Sequence, residues 1–214
     1  MNDKSHGTFY ASAYSQTAGR ETWTKTVIER RAWVEQSIGQ ATPKNLLDIG
    51  CGRGLNTLWL ASPTCRWYGT DIVSAETLKL ELSEYSTFQQ GDLRNPHWVA
   101  TSPLMRQTYE TVVDQGSVLV SLDDITERQS YIELLNQLVE PGGLLILLVV
   151  YGTGPAMTFP DGRIRALSTP ESLSAELSEF EQVETRISTY SAGDERNPLV
   201  MQELSVLHAT FRRR

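Results

Sequence analysis

Asp48, Gly50, Gly52 and Gly54 alternate along the segment LLDIGCGRG (46–54), and two acids follow at intervals of about twenty residues, Asp71 closing an apolar run and Asp92 ending a strand-to-loop step. Glycines accept positive φ and present no Cβ, so a ligand can lie directly against the backbone of such a turn. Acids at strand ends offer carboxylate oxygens to sugar hydroxyls or to a base amino group. The chemistry this spacing suits is the binding of an adenosine-containing cofactor. A dinucleotide turn would read Gly-x-Gly-x-x-Gly and place its third glycine at 55, where this chain has Leu55, so pyrophosphate binding fits less well.

Other reactive residue types are scattered. Tyr10 and Tyr14 fall in the leader and Tyr151 closes the apolar run 139–151; with an ordinary pKa near ~10, a tyrosine there serves as a wall or hydrogen-bonding group more readily than as a base. Tyr14 and Tyr151 are the candidates for contact with the reacting partner. His97 stands in a loop with no visible partner and His208 lies in the last apolar run, where a structural role is expected. Cys51 and Cys65 show neither metal-ligand spacing nor a disulfide framework and read as reduced thiols of a cytoplasmic protein. No His/Asp/Glu grouping has metal spacing, so no metal is expected. Asp123, Asp124 and the acids of 171–184 suit a helix N-terminus and a solvated face.

The elements that must position these residues alternate. Helices are predicted over 20–38, 54–62, 74–84, 126–139 and 170–179, with strands near 45–49, 66–71, 86–90, 110–114 and 143–151. Trp23, Val27, Ile28, Ala32 and Val34 form the apolar stripe of the first helix, and Gly39 ends it. Pro141, Gly142 and Gly143 close the fourth helix and start the fifth strand. Such alternation means a parallel sheet with helices on both faces. Residues 181–191 and 199–211 read as two further strands joined by a connector too short for a crossover helix, so they must pair antiparallel. The segment 152–168, with Met157 and Phe159 among polar residues, can fold over the strand ends.

Composition sets the outer bounds. A chain of 214 residues with 40% hydrophobic content builds one substantial core. A net charge of −7 argues against nucleic acid as a partner, and Arg212, Arg213 and Arg214 at the terminus read as a solvated cluster. No signal peptide or membrane span is evident.

Taken together, the motif Asp-x-Gly-x-Gly-x-Gly, the strand-end acids Asp71 and Asp92, the segment Asp114-Gln115-Gly116-Ser117 and the terminal hairpin resemble the class I (Rossmann-like) S-adenosylmethionine-dependent methyltransferases of small-molecule type, over roughly residues 44–212. The resemblance implies a three-layer α/β sandwich around a mostly parallel seven-stranded sheet with a C-terminal antiparallel hairpin. It divides the chain into an N-terminal lid and helix (1–43) and a cofactor-binding core (44–214). S-adenosylmethionine is the implied cofactor and S-adenosylhomocysteine the product. By the same resemblance Gly50 and Gly52 approach the methionine portion, Asp71 the ribose, and Asp92 and Leu93 the adenine, with Asp48, Cys51, Ile72 and Gln115 completing the wall. Arg20 is placed to pair with the cofactor carboxylate, a solvent-exposed arginine being the alternative.

The methyl acceptor is expected to be an O, N or S nucleophile of a small molecule. Asp114-Gln115-Gly116-Ser117 departs from the Asn/Asp-Pro-Pro-Tyr/Phe of nucleobase and amide methyltransferases, and the Asp-x-Asp-Asn cluster of the magnesium-dependent catechol enzymes is missing. Two other readings stand beside this one: an NAD-type oxidoreductase, which Leu55 and the terminal hairpin disfavour, and a non-catalytic cofactor-binding protein. Oligomeric state is open.

Overall fold

Leu46 and Leu47 are both fully buried, which is possible only if the strand that carries them is covered on each face. That strand, β1 (Asn45–Ile49), sits in the middle of the sheet of a computed structural model that describes residues 22–158, 164–192 and 202–214. It pairs in parallel with β2 (Arg66–Asp71) on one side and β4 (Tyr109–Gln115) on the other; β3 (Ser86–Gln90) lies beyond β2, and β5 (Val139–Tyr151) beyond β4. Two short strands follow as an antiparallel pair, β6 (Met157–Thr158) and β7 (Ile164–Arg165), and β8 (Leu167–Ser168) runs parallel to the end of β5. The predicted hairpin is β9 (Phe180–Ala192) and β10 (Gln202–Arg213), and β10 docks antiparallel on β5. The sheet order is therefore β3-β2-β1-β4-β5-β10-β9, the mostly parallel sheet with a terminal hairpin expected of a Rossmann-like sandwich.

Five α-helices are described: α1 (Thr22–Ile38), α2 (Ala75–Leu78), α3 (Pro96–Thr101), α4 (Ile125–Leu138) and α5 (Pro170–Glu176). One face of the sheet carries the larger core, in which Leu47, Ile49, Val112, Leu145 and Leu147 meet Tyr131, Leu135 and Leu138 of α4. The opposite core joins Leu46, Trp67, Val113 and Ile146 to Trp33 and Val34 of α1. Alternate residues of one strand feed opposite cores.

Several local expectations change. The helix predicted over 54–62 is a set of turns closing in a 3-10 turn, Leu58–Leu60, because Gly54 takes φ +69° and the Thr57 side chain is drawn inward. The helix predicted over 74–84 stops after Leu78, where Lys79 adopts φ 55° and its N–H returns to Ala75 and Glu76. Pro141 to Gly143 lie within β5 rather than before it: the ladder to β4 shifts register between Tyr109 and Thr111, and Gly142 takes φ +80° there. In α1, Ile28 is 62% exposed and Trp33, outside the predicted stripe, is buried. The helix α3 was not expected, although Asn95 accepting from His97 and Trp98 N–H ahead of Pro96 is an N-cap signal present in the sequence.

Candidate functional site

The C-terminal ends of β1, β2, β3 and β4 meet along one edge, where the glycine turn after β1 forms the centre. Gly50, Gly52 and Gly54 take φ of +62°, +53° and +69°, a left-handed region that side chains with a Cβ rarely adopt. The turn is fastened from both sides. Gly52 N–H donates to Asp71 Oδ2 at 2.9 Å, and Val73 N–H donates to Asp71 Oδ1 at 2.9 Å. Asp71 thus has each carboxylate oxygen held by the backbone, with lone pairs left for a ligand. Burial raises its pKa, and the backbone donors act against that rise.

On the other side stands Ser117, from the loop after β4. Its Oγ lies 2.8 Å from Ile49 O and 2.6 Å from Asp114 Oδ1, and a Cβ built on Gly50 would stand 2.2 Å from Ser117 Cβ. Close approach of two loops, as well as the positive φ, requires glycine at 50. Asp114 is itself consumed by structure: its oxygens also accept from the N–H groups of Ser117, Val118 and Leu119 and from Tyr131 Oη.

Asp48 faces inward, beneath the turn. Its Oδ2 accepts from Thr57 Oγ1, which in turn accepts from Trp67 Nε1 at 2.8 Å, and all three side chains are buried. Burial, with Asp114 and Asp71 nearby, raises the Asp48 pKa to about 7 against the opposing Thr57 bond. The geometry makes Asp48 the anchor of the turn. Cys51 likewise turns inward into the α1 core, where burial, then Asp48 and Asp71, push its thiol up, so it offers the site its backbone.

At the end of β3 the Gly91 backbone is pressed against the indole of Trp98 from α3, which a Cβ at 91 would strike. Leu93 and Trp98 both pack at the rim of the larger core and make an apolar wall there. Asp92 is gripped by Arg94, whose Nε and Nη2 donate to its two oxygens at 3.0 and 2.7 Å. Ile72 follows Asp71, and its carbonyl accepts from Gln90 Nε2 at 3.0 Å. Gln115, closing β4, binds α1 twice: its carbonyl accepts from Arg30 Nη1 and its Nε2 donates to Arg30 O, both at 3.2 Å. Gln115 Oε1 is buried with no hydrogen-bond partner among the described residues.

Tyr151 ends β5 at 37% exposure. Residues 164–168 dock beside it: Gly152 N–H bonds Ser168 O, Ala166 N–H bonds Val120 O, and Arg165 Nη1 reaches Ser121 Oγ at 3.0 Å. Arg128 locks this corner, donating to Glu176, Leu119 O and Ser168 Oγ. His208 is buried under Trp33, its ring centroid 5.4 Å away, and burial together with Arg186 and Arg30 lowers its pKa to about 4. Tyr14, Arg20 and Phe159 lie outside the described residues. A groove of about 610 Å³ between α4 and α5, lined by Ile125, Arg128, Ile132, Asn136 and Glu176, holds none of the residues of the glycine turn or of Asp71, Asp92 and Gln115.

Sequence reading thus named Asp71, the glycines and Gln115 but missed Thr57, Trp67, Trp98 and Ser117 as parts of this edge. Ser117 stands in the quoted Asp-Gln-Gly-Ser segment, and Trp98 follows a visible helix cap. Thr57 and Trp67 carry no local signal, because their partnership with Asp48 is purely tertiary. Among the described residues no group of three His, Cys, Asp or Glu is arranged to hold a metal ion, and no helix is long and apolar enough to cross a membrane.

Residues 47–147 match a family model described as a methyltransferase domain. Among curated proteins, the chain is similar to a ubiquinone biosynthesis O-methyltransferase of Leptothrix cholodnii, 22% identical over 121 residues, which are 56% of this chain and 50% of that one. The chain therefore spans about half the length of the curated relative it matches. Its fold is similar to that of the Burkholderia thailandensis 1,6-didemethyltoxoflavin-N1-methyltransferase, solved with 1,6-didemethyltoxoflavin and S-adenosylhomocysteine (TM-score 0.68, 20% identity, 97% of this chain and 86% of that chain). It is also similar to that of the N-methyltransferase NodS from Bradyrhizobium japonicum in complex with S-adenosylhomocysteine (TM-score 0.60, 19% identity, 92% and 90%).

Proposed function

We propose, from the premise that this chain carries a class I methyltransferase domain, that it transfers a methyl group from S-adenosylmethionine to an oxygen, nitrogen or sulfur nucleophile of a small molecule. The observation that carries the reading is the buried Asp71 carboxylate, aimed at the glycine turn by Gly52 N–H and Val73 N–H with lone pairs to spare.

The residues present fit the cofactor. A turn without Cβ atoms at Gly50, Gly52 and Gly54 gives it backbone to lie on, Asp71 offers acceptors to a ribose diol, and Leu93 with Trp98 gives a planar base an apolar wall. Gln115 Oε1, without a partner among the described residues, is an acceptor for a ligand N–H. Because Arg94 already forks onto Asp92, we assign Asp92 to shaping its loop as well as to the adenine side. Ile72 and Cys51 contribute backbone, and Asp48 holds the turn in place through Thr57. Arg20 and Tyr14 keep the roles expected of them from their places in the sequence, at the cofactor carboxylate and the acceptor.

S-adenosylmethionine supplies a methyl group already activated by a sulfonium, so the protein's task is alignment, exclusion of water and disposal of a proton where the nucleophile carries one. To Tyr151, the exposed last residue of β5, we assign the orienting of an acceptor through its hydroxyl. Residues 164–168, pinned by Arg165 and Arg128, are assigned to the acceptor side. Transfer of a labelled methyl group from S-adenosylmethionine to a panel of phenols, amines, thiols and carboxylic acids tests the proposal. A labelled product with release of S-adenosylhomocysteine is expected, whereas cofactor binding without any turnover would leave the chain a binding protein.

A further inference from the structure

An unbroken run of hydrogen bonds joins residues 164–168 to the glycine turn. Arg165 Nη1 donates to Ser121 Oγ at 3.0 Å, and the Ser121 hydroxyl donates in turn to Ser117 O at 2.6 Å. Ser117 Oγ then shares its one proton between Ile49 O, at 2.8 Å, and Asp114 Oδ1, at 2.6 Å. Ile49 O is the last carbonyl before Gly50. The Arg165 side chain is buried, which strengthens its bond to Ser121.

Ser121 closes a 3-10 turn, Leu119–Ser121, whose carbonyls are also in use: Leu119 O accepts from Arg128 Nη1 and Val120 O from Ala166 N–H. Those bonds, with Gly152 N–H to Ser168 O and Arg128 Nη2 to Ser168 Oγ, fasten the corner to the 3-10 turn, β5 and α4. Of the bonds that hold this corner, the one to the Ser121 hydroxyl continues to Ser117. A serine that bonds back to the carbonyl four residues earlier ordinarily serves its own helical turn. Here the same oxygen also accepts from a guanidinium 44 residues further along the chain.

The turn at the other end has freedom to lose, since Gly50, Gly52 and Gly54 carry no Cβ to restrict them. A cofactor lying on it restrains Gly50 and the Ile49 carbonyl beside it. Restraint at one end of a bonded run favours the bonded state at the other.

We propose that Ser121 is a positioning residue that couples the glycine turn to residues 164–168, so that a bound cofactor holds the acceptor side in its docked form. The coupling rests on the methyltransferase reading of the site. It is reciprocal, so docking of 164–168 also favours the cofactor.

Amide exchange with S-adenosylhomocysteine as the probe tests this. The reporter is Ala166 N–H, bonded to Val120 O and followed by NMR with and without saturating ligand. A ligand of the native state slows every amide that exchanges through global unfolding, so the comparison between variants is the informative one. The ligand is expected to slow Ala166 exchange about fivefold more in wild type than in Ser121→Ala, which lacks the hydroxyl. Ser121→Thr, which keeps it, is expected to behave as wild type. Arg165→Met, which breaks the run at its other end, is expected to match Ser121→Ala. Calorimetry and circular dichroism show that each variant binds the ligand and is folded. Absence of binding to wild type would overturn the methyltransferase reading, and the coupling with it. Binding with the same slowing in wild type as in either broken variant, or a Ser121→Thr protein no different from Ser121→Ala, would overturn the coupling alone.

Discussion

Ser117 Oγ stands 2.8 Å from the carbonyl oxygen of Ile49, in space that is open only because residue 50 has no Cβ. This single contact ties the loop after β4 to the turn after β1, so the two walls of the site are one rigid unit.

Gly50→Ala tests that unit. A methyl group at 50 would meet Ser117 Cβ at 2.2 Å on a backbone of φ +62°, and the variant is expected to lose about 2 kcal/mol or more of stability in denaturant unfolding. Ser117→Gly in the same chain removes the steric part but not the backbone strain. A double-mutant cycle should therefore show clear coupling, and simple additivity would contradict the packing described.

Thr57 links two elements through one hydroxyl. Thr57→Val leaves Asp48 Oδ2 and Trp67 Nε1 without their partner in the interior, at an expected cost of about 2–4 kcal/mol, while Thr57→Ser, which keeps the hydroxyl, should cost less than about 1 kcal/mol. Equal losses in the two variants would show that the methyl group, not the hydrogen-bond chain, matters.

The pH dependence of stability carries a sign that can be checked. The Asp48 pKa rises from an ordinary 3.8 to about 7 in the folded chain, so between those values the native state holds a proton that the unfolded state releases. Rising pH through that window therefore costs stability, and the loss is complete above the folded value. Asp48→Asn lacks this cost: its stability relative to wild type should climb from about pH 4 to about 7 and then level off in unfolding titrations. His208 acts in the opposite sense, since its pKa falls from 6.5 to about 4 and the fold loses stability as pH drops through that interval. A flat difference between Asp48→Asn and wild type would place the Asp48 carboxyl in a more polar setting than the structure gives it.

How much of this was legible beforehand follows from which residues act locally. Strand β1, its glycines and Asp71 were legible because burial on both faces, positive φ and strand-end position each leave a mark in a short window. The terminal hairpin was legible from a connector too short for a helix. The helix expected over 54–62 was not, because Thr57 is pulled toward Asp48 and Trp67 by partners distant in sequence. Lys79 ends α2 without the glycine that usually announces a left-handed cap. Ile28 and Trp33 exchanged their expected places since the α1 stripe is set by the sheet it meets, where Trp33 contacts His208.

The acceptor side has a direct check of its own. If Tyr151 orients the acceptor through its hydroxyl, Tyr151→Phe should raise KM for the acceptor by about threefold to tenfold and leave cofactor affinity unchanged. A change in cofactor affinity of the same size would move Tyr151 to the cofactor side.

Isothermal titration with S-adenosylhomocysteine and S-adenosylmethionine, on wild type and Asp71→Ala, bears most directly on the assignment of the strand-end edge. One site per chain is expected for wild type, with affinity at least about tenfold weaker in Asp71→Ala, since a buried carboxylate bonded to a sugar diol contributes on the order of 1.5–3 kcal/mol. Circular dichroism of the variant guards against loss of fold. Absence of binding to wild type, or equal binding to both folded proteins, would contradict the assignment.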